Sequence, residues 1–289
     1  MIKILLVVST LLILNTFSTF SAFAKTAEEY FEEAEALYKK KSFDEAKLLL
    51  IKAAQLNHPE AQYELGQRYL FNDDKIAFYW LHQAAMNGFL DAEFYVGACY
   101  FDGQGISQNY ELAFKWILKA AKRGEATAQH YVGIMFDEGK GIDENKVMAI
   151  EWYLKAAEKG VMESQFNLGH IYSNGVGVLQ NHNQAFYWFK KAAEQGHSRA
   201  EYNLGNAYNN GRGVDKDSAK AIFWFERAAA KGIDMAQFNL GLIHAYGIGV
   251  EVDMAKAKYW LEQANKNGHV RASEELDKLG YMTLEKISN

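Results

Sequence analysis

Few residues in this chain could do chemistry, and their spacing argues against most of it. There are eight histidines and one cysteine, Cys99. No H-E-x-x-H or clustered Cys/His spacing appears, so no zinc site is expected. His197 and His269 occupy the same turn of a repeating unit. His130 and His170 fall on corresponding helices of successive units, where they could approach each other. A metal would still need a third ligand, and ordinary hydrogen-bonded histidines are expected instead. Five loops carry G-x-G: Gly103/Gly105, Gly139/Gly141, Gly175/Gly177, Gly211/Gly213 and Gly247/Gly249. A phosphate cradle would need a preceding strand and a βαβ context, and neither is predicted. Cys99 cannot form an intrachain disulfide and reads as a small buried hydrophobe. No paired-carboxylate or nucleophile–base constellation is evident. The expectation is a chain without catalytic residues, cofactor or metal.

The elements that hold these residues are set by six tryptophans, Trp80, Trp116, Trp152, Trp188, Trp224 and Trp260, each 36 residues after the last. A fixed period of this size marks a solenoid. Seven residues before each Trp stands Asp73, Asn109, Asn145, Asn181, Asp217 or Asp253, a good helix N-cap. Alanines three before and four after each Trp share its helical face. A glycine eight after suits a left-handed helix end. A second helix follows, with Gly97, Gly133, Gly169, Gly205 and Gly241 in its middle. Glycine there costs about 1 kcal/mol against Ala, so a bulky side chain, the Trp first of all, is expected to pack where a Cβ would not fit. An aromatic closes that helix (Tyr100, Phe136, Tyr172, Tyr208), with His244 as the exception. The fold expected is an all-α solenoid of antiparallel helix pairs in 36-residue units, coiled as a right-handed superhelix.

Residues 200–232, AEYNLGNAYNNGRGVDKDSAKAIFWFERAAAKG, are the text of such a unit, and equivalents cover nearly everything after residue 58. This sequence resembles the Sel-one-like repeat proteins, relatives of the tetratricopeptide repeats. The resemblance implies a binding scaffold. Some members are associated with penicillin binding or β-lactamase activity, which supplies the alternative reading. Those members are rich in paired cysteines, however, and this chain also lacks S-x-x-K, the nucleophile motif of serine penicillin-recognising enzymes.

Residues 1–24 read as an export signal: Lys3, the apolar stretch Ile4–Leu14, and Ala22-Phe23-Ala24 as a cleavage site. Retention as an uncleaved anchor is the alternative, although the apolar run is short for a span. The mature chain is expected in the periplasm or outside the cell, with no membrane insertion after cleavage. Its 30 basic against 36 acidic residues and the lack of a basic stripe exclude a nucleic-acid footprint. Residues 25–58 read as a divergent opening repeat, with Ser42 at the N-cap, Leu49 in place of the Trp, and Pro59 starting the next helix. Six repeats occupy 59–268. Residues 269–289 read as a polar closing helix.

By the tetratricopeptide resemblance, the first helix of each repeat should line a concave groove that takes a protein or peptide partner. One column there is Tyr63, Phe94, His130, Phe166, Tyr202 and Phe238, an aromatic rail suited to an elongated ligand. The competing reading packs the same column between helices as core. Beside it run Asn167, Asn203 and Asn239, able to bond a ligand's backbone or a neighbouring repeat. Asp102 and Glu138 make the rim acidic towards the N-terminal end, which favours basic residues in that part of a ligand.

Overall fold

A computed structural model describes residues 25–288; the export signal read at residues 1–24 lies outside them. The described residues form fifteen helices and no strand, a solenoid of helical repeats. They divide into two compact units between Glu125 and Ala126. The first contains α1 (Ala27–Lys39), α2 (Phe43–Gln55), α3 (Pro59–Tyr69), α4 (Asp74–Met86), α5 (Leu90–Asp102) and α6 (Tyr110–Lys122). The second contains α7 (Ala126–Glu138), α8 (Lys146–Glu158), α9 (Met162–Asn174), α10 (His182–Glu194), α11 (Ser198–Asn210), α12 (Ser218–Ala230), α13 (Asp234–Tyr246), α14 (Met254–Lys266) and α15 (Ala272–Ser288). Within each unit, odd and even helices pair, and each pair packs on the next; α15 closes against α14. None of these helices is long and apolar enough to cross a membrane.

Local chemistry explains the boundaries. The side chains of Asp73, Asn109, Asn145, Asn181, Asp217 and Asp253 each accept from the backbone N–H three residues on, capping α4, α6, α8, α10, α12 and α14. Pro59 opens α3 at a position whose N–H would have no helical partner. Ser42 precedes α2 without capping it; its hydroxyl donates to Glu45 instead. The G-x-G loops have a packing role. A Cβ on Gly105 would lie 2.0 Å from the Asp74 carbonyl oxygen, and one on Gly213 2.1 Å from that of His182, so each loop presses on the first turn of the preceding even helix.

The mid-helix glycines receive a different side chain from the one expected. The residue after each Trp fills the space: Ile117 against Gly97, Tyr153 against Gly133, Phe189 against Gly169, Phe225 against Gly205 and Leu261 against Gly241. The Trp itself sits one helical step, about 100°, further round. It therefore reaches the core of the preceding repeat: Trp116 packs on the Leu81 cluster, Trp188 on the Tyr153 cluster and Trp224 on the Phe189 cluster. Trp152 and Trp188 are buried, whereas Trp80, Trp116, Trp224 and Trp260 are only partly so. The opening repeat follows the same rule, because Leu50 is fully buried and Leu49, which stands for the Trp, is not.

A second periodic device joins successive repeats. Gln62, Gln165 and Gln237 are buried, and each donates its amide N–H to a carbonyl of the preceding helix, Ala54, Ala157 and Ala229, at 3.0 Å. Each then accepts from the end of the second helix of its own repeat: from Asn87 at 2.8 Å, Gln195 at 2.7 Å and Asn267 at 2.9 Å. Where the same position is Glu, the partners become cations. Glu93 pairs with Lys119 and Arg123, and Glu201 with Arg227 and Lys231, both carboxylates being fully buried. A buried carboxylate is tolerated only when paired and hydrogen-bonded, and these are.

Candidate functional site

The predicted aromatic column lies along the seams between repeats. Phe166 stacks on His197 with ring centroids 4.2 Å apart, and Phe238 on His269 at 4.1 Å. Tyr63 meets Phe89 at 4.7 Å and Tyr95 at 5.8 Å. Phe94 lies edge-on to Tyr95, and Tyr202 packs 6.0 Å from Phe225. His130 and Phe238 are buried; Tyr63, Phe94, Phe166 and Tyr202 are half-buried. His130 and His170 bond different partners. The His130 Nδ1 lies 2.7 Å from the Ser164 hydroxyl, while His170 bonds Asn174. Ser164 replaces the alanine usual at its position and His130 replaces an aromatic, so one hydrogen bond satisfies both departures. No group of His, Cys, Asp and Glu among the described residues could hold a metal. Cys99 is buried, and burial pushes its thiol up to about 11, away from reactivity.

The asparagines lead to open space. On one side of α11 a cleft of about 290 Å³ is lined by Asn203, Asn206 and Asn210 of that helix, Ser173 of α9, His182 and Phe186 of α10, and Arg212 of the following loop. On the other side a cleft of about 270 Å³ is lined by Tyr202, Asn206, Asn209, Phe225, Asn239, Leu242, Ile243 and Ile248. Asn206 borders both. Of the nine residues predicted to bind a partner, Tyr202, Asn203 and Asn239 border these clefts, and Asn167 bonds the Tyr153 hydroxyl instead.

The polar groups lining these clefts are largely unspent. Asn239 donates to the Asn206 amide oxygen at 3.4 Å and Asn209 to that of Asn210 at 3.5 Å, both long. The side chains of Asn203, His182 and Arg212 have no hydrogen-bond or ion-pair partner among the described residues. No carboxylate lines either cleft. Sequence reasoning passed over Asn206, Asn209, Asn210 and Arg212 as site residues. The signal was available: Asn203, Asn206, Asn209 and Asn210 fall at i, i+3, i+6 and i+7 of one helix, which places them on a common side. The acidic rim is also weaker than its sequence implies in the second unit, where Glu138 pairs with Lys140 at 2.7 Å.

Repeated helix pairs, with amide-lined clefts beside α11, define a helical-repeat scaffold. Sel1 repeat models match residues 29–58, 59–89, 90–125, 126–161, 163–197, 198–233 and 234–269, and the chain belongs to the Sel1 repeat family. Such proteins generally act as protein–protein interaction scaffolds on a fold that is generally non-enzymatic, and they typically bind protein partners. Among solved structures the chain is similar to a protective antigen present in uropathogenic Escherichia coli strains, which displays this fold. The two are 29% identical with a TM-score of 0.84 over 92% of this chain. The chain spans 59% of that antigen's length. It is also similar to a Sel1 repeat protein from Oxalobacter formigenes, at 33% identity and a TM-score of 0.70, over 82% of this chain and 99% of the other. No curated protein matches it.

Proposed function

We propose that this chain is an exported scaffold that holds a segment of a partner protein in the clefts flanking α11. The observation that carries the reading is the set of unspent polar side chains there. Among the described residues, the side chains of Asn203, His182 and Arg212 line concave space without partners of their own, and that of Asn206 has only the long bond from Asn239. Arg212 is exposed and the others half-buried, so these cleft groups are available to bond a ligand in place of water. Export rests on the signal-like residues 1–24, and the protective-antigen description of the Escherichia coli relative supports an extracytoplasmic place.

The test is photocrosslinking in the native cell, with a photoreactive residue at position 206 and, as control, at position 190. Lys190 is exposed and, among the described residues, pairs only with Glu194, at 3.8 Å. The expected result is a discrete protein adduct from position 206 alone, recovered from the periplasm or the culture supernatant. Identical adducts from both positions would refute the cleft as the binding place. Recovery of the full-length chain in the cytosol would refute export.

A further inference from the structure

The proposed binding clefts differ in chemistry, and the difference specifies a partner, a specification that rests on these clefts being the binding place. The cleft on the α9/α10 side of α11 is lined by Arg212, exposed and without a partner among the described residues, together with His182, Ser173, Asn203, Asn206 and Asn210. It has no carboxylate of its own, in a protein whose overall charge is negative. A guanidinium with hydrogen-bond donors around it and no internal counter-ion suits a carboxylate, which it can take in a two-pronged hydrogen bond. The cleft on the α12/α13 side carries no charged group. Its accessible apolar surface comes from Leu242 and Ile248, above the buried Phe225 and Ile243 and beside Asn209 and Asn239, and a small aliphatic side chain suits it.

We infer that the partner presents an acidic side chain to the Arg212 cleft and an apolar side chain to the Ile243 cleft, from one extended segment. The spacing comes from the geometry of α11. The clefts flank one helix, whose diameter with side chains is about 10 Å. An extended chain advances about 3.3 Å per residue. The acidic and apolar residues are therefore about three apart, and the segment between them crosses α11 over Asn206. That amide can bond a backbone N–H and C=O of the crossing segment together.

The probe is a fluorescein-labelled peptide of about ten residues, Gly and Ser throughout except for a leucine placed three positions from a glutamate. Versions with Gln or Lys in place of the glutamate accompany it. Anisotropy titrations use the full chain at low and at high salt, with circular dichroism confirming that each variant folds. The expected result is binding of the glutamate peptide at least tenfold tighter than the Gln version, weakened by salt. Arg212→Ala should erase the preference, whereas Asn206→Ala should weaken all versions together. If the Gln or Lys version binds equally well and Asn206→Ala still weakens it, the acidic partner is refuted and the clefts remain the binding place. If no version binds in a way that depends on Asn206, both readings fall.

Discussion

The most direct test of how this solenoid is locked together is Gly205→Ala. Intrinsic helix propensity favours alanine by about 1 kcal/mol at a mid-helix site, so a helix without neighbours would gain stability. The structure reverses the sign. The new Cβ would lie 2.6 Å from Cδ1, 2.7 Å from Cε1 and 3.2 Å from Cγ of Phe225. Carbon atoms pack best at about 3.5–4.0 Å, so the overlap approaches 1 Å. Phe225 is fully buried among Ala221, Ala228, Ala229, Leu240 and Ile243, which limit how far the ring can yield. Overpacking of this kind costs about 1–3 kcal/mol, and a rigid ring puts it at the upper end. The expected net effect is a destabilisation of about 1–2 kcal/mol, read as a lower urea midpoint by circular dichroism. Phe225→Ala alone should cost about 3–5 kcal/mol, and Trp224→Ala, at a partly exposed site, clearly less. Combining Gly205→Ala with Phe225→Ala should destabilise less than the two effects added, since the methyl then enters the cavity. A Gly205→Ala protein as stable as the parent, or more so, would refute the ring-on-glycine account. So would a Trp224→Ala cost larger than that of Phe225→Ala.

Three further outcomes are expected. Burial holds His130 and His197 below the ordinary histidine range, against a smaller opposing pull from Glu163. The unfolded chain therefore binds these protons first. The stability they contribute is complete above about pH 6.5 and is lost as pH falls through their folded pKa values; melting temperature should drop between pH 7.5 and 5.5, and a flat profile would contradict this. Neither ring nitrogen of buried His244 has a hydrogen-bond partner among the described residues, so His244→Phe, restoring the aromatic of the other repeats, should stabilise by about 1–2 kcal/mol in a urea melt. Arg227→Ala leaves the buried Glu201 with Lys231 alone and should cost about 1–3 kcal/mol, a loss that Glu201→Gln in the same chain should partly relieve on thermal melting.

The fold was legible because the signals that specify it are local and repeated. The Asn and Asp caps, the glycines at helix ends and the alanine spacing each constrain a turn of backbone, and 36-residue recurrence identifies them. Which side chain enters the mid-helix glycine was not legible, because Trp224 and Phe225 are both large and apolar and differ by one step of about 100° around the helix. Only the direction from which the neighbouring helix arrives decides between them. The lining of the proposed clefts was legible in part. Asn203, Asn239 and Tyr202 were marked by column, but Arg212 lies in a loop outside any column, and Asn206 matters because two clefts meet at it. Those are properties of packed neighbours, and a single column does not encode them.

The buried Gln and Glu staples have a consequence for how such a chain can be cut and rejoined. Each repeat holds a keyed coupling between its two helices, in which a glutamine half accepts an amide and a glutamate half accepts a cation. Gln165 meets Gln195 and Gln237 meets Asn267, whereas Glu93 meets Arg123 and Glu201 meets Lys231. Repeats that look interchangeable by their tryptophans are therefore of two kinds inside, and a half of one kind does not fit a half of the other. A shortened chain cut inside a repeat, so that Glu201 met the stretch bearing Gln195, would bury a carboxylate with no counter-ion, a fault of several kcal/mol. Cutting between whole repeats would keep each Gln or Glu with its own partner. Lengthening or trimming this array, in the laboratory or over generations, is constrained by one side chain in each repeat.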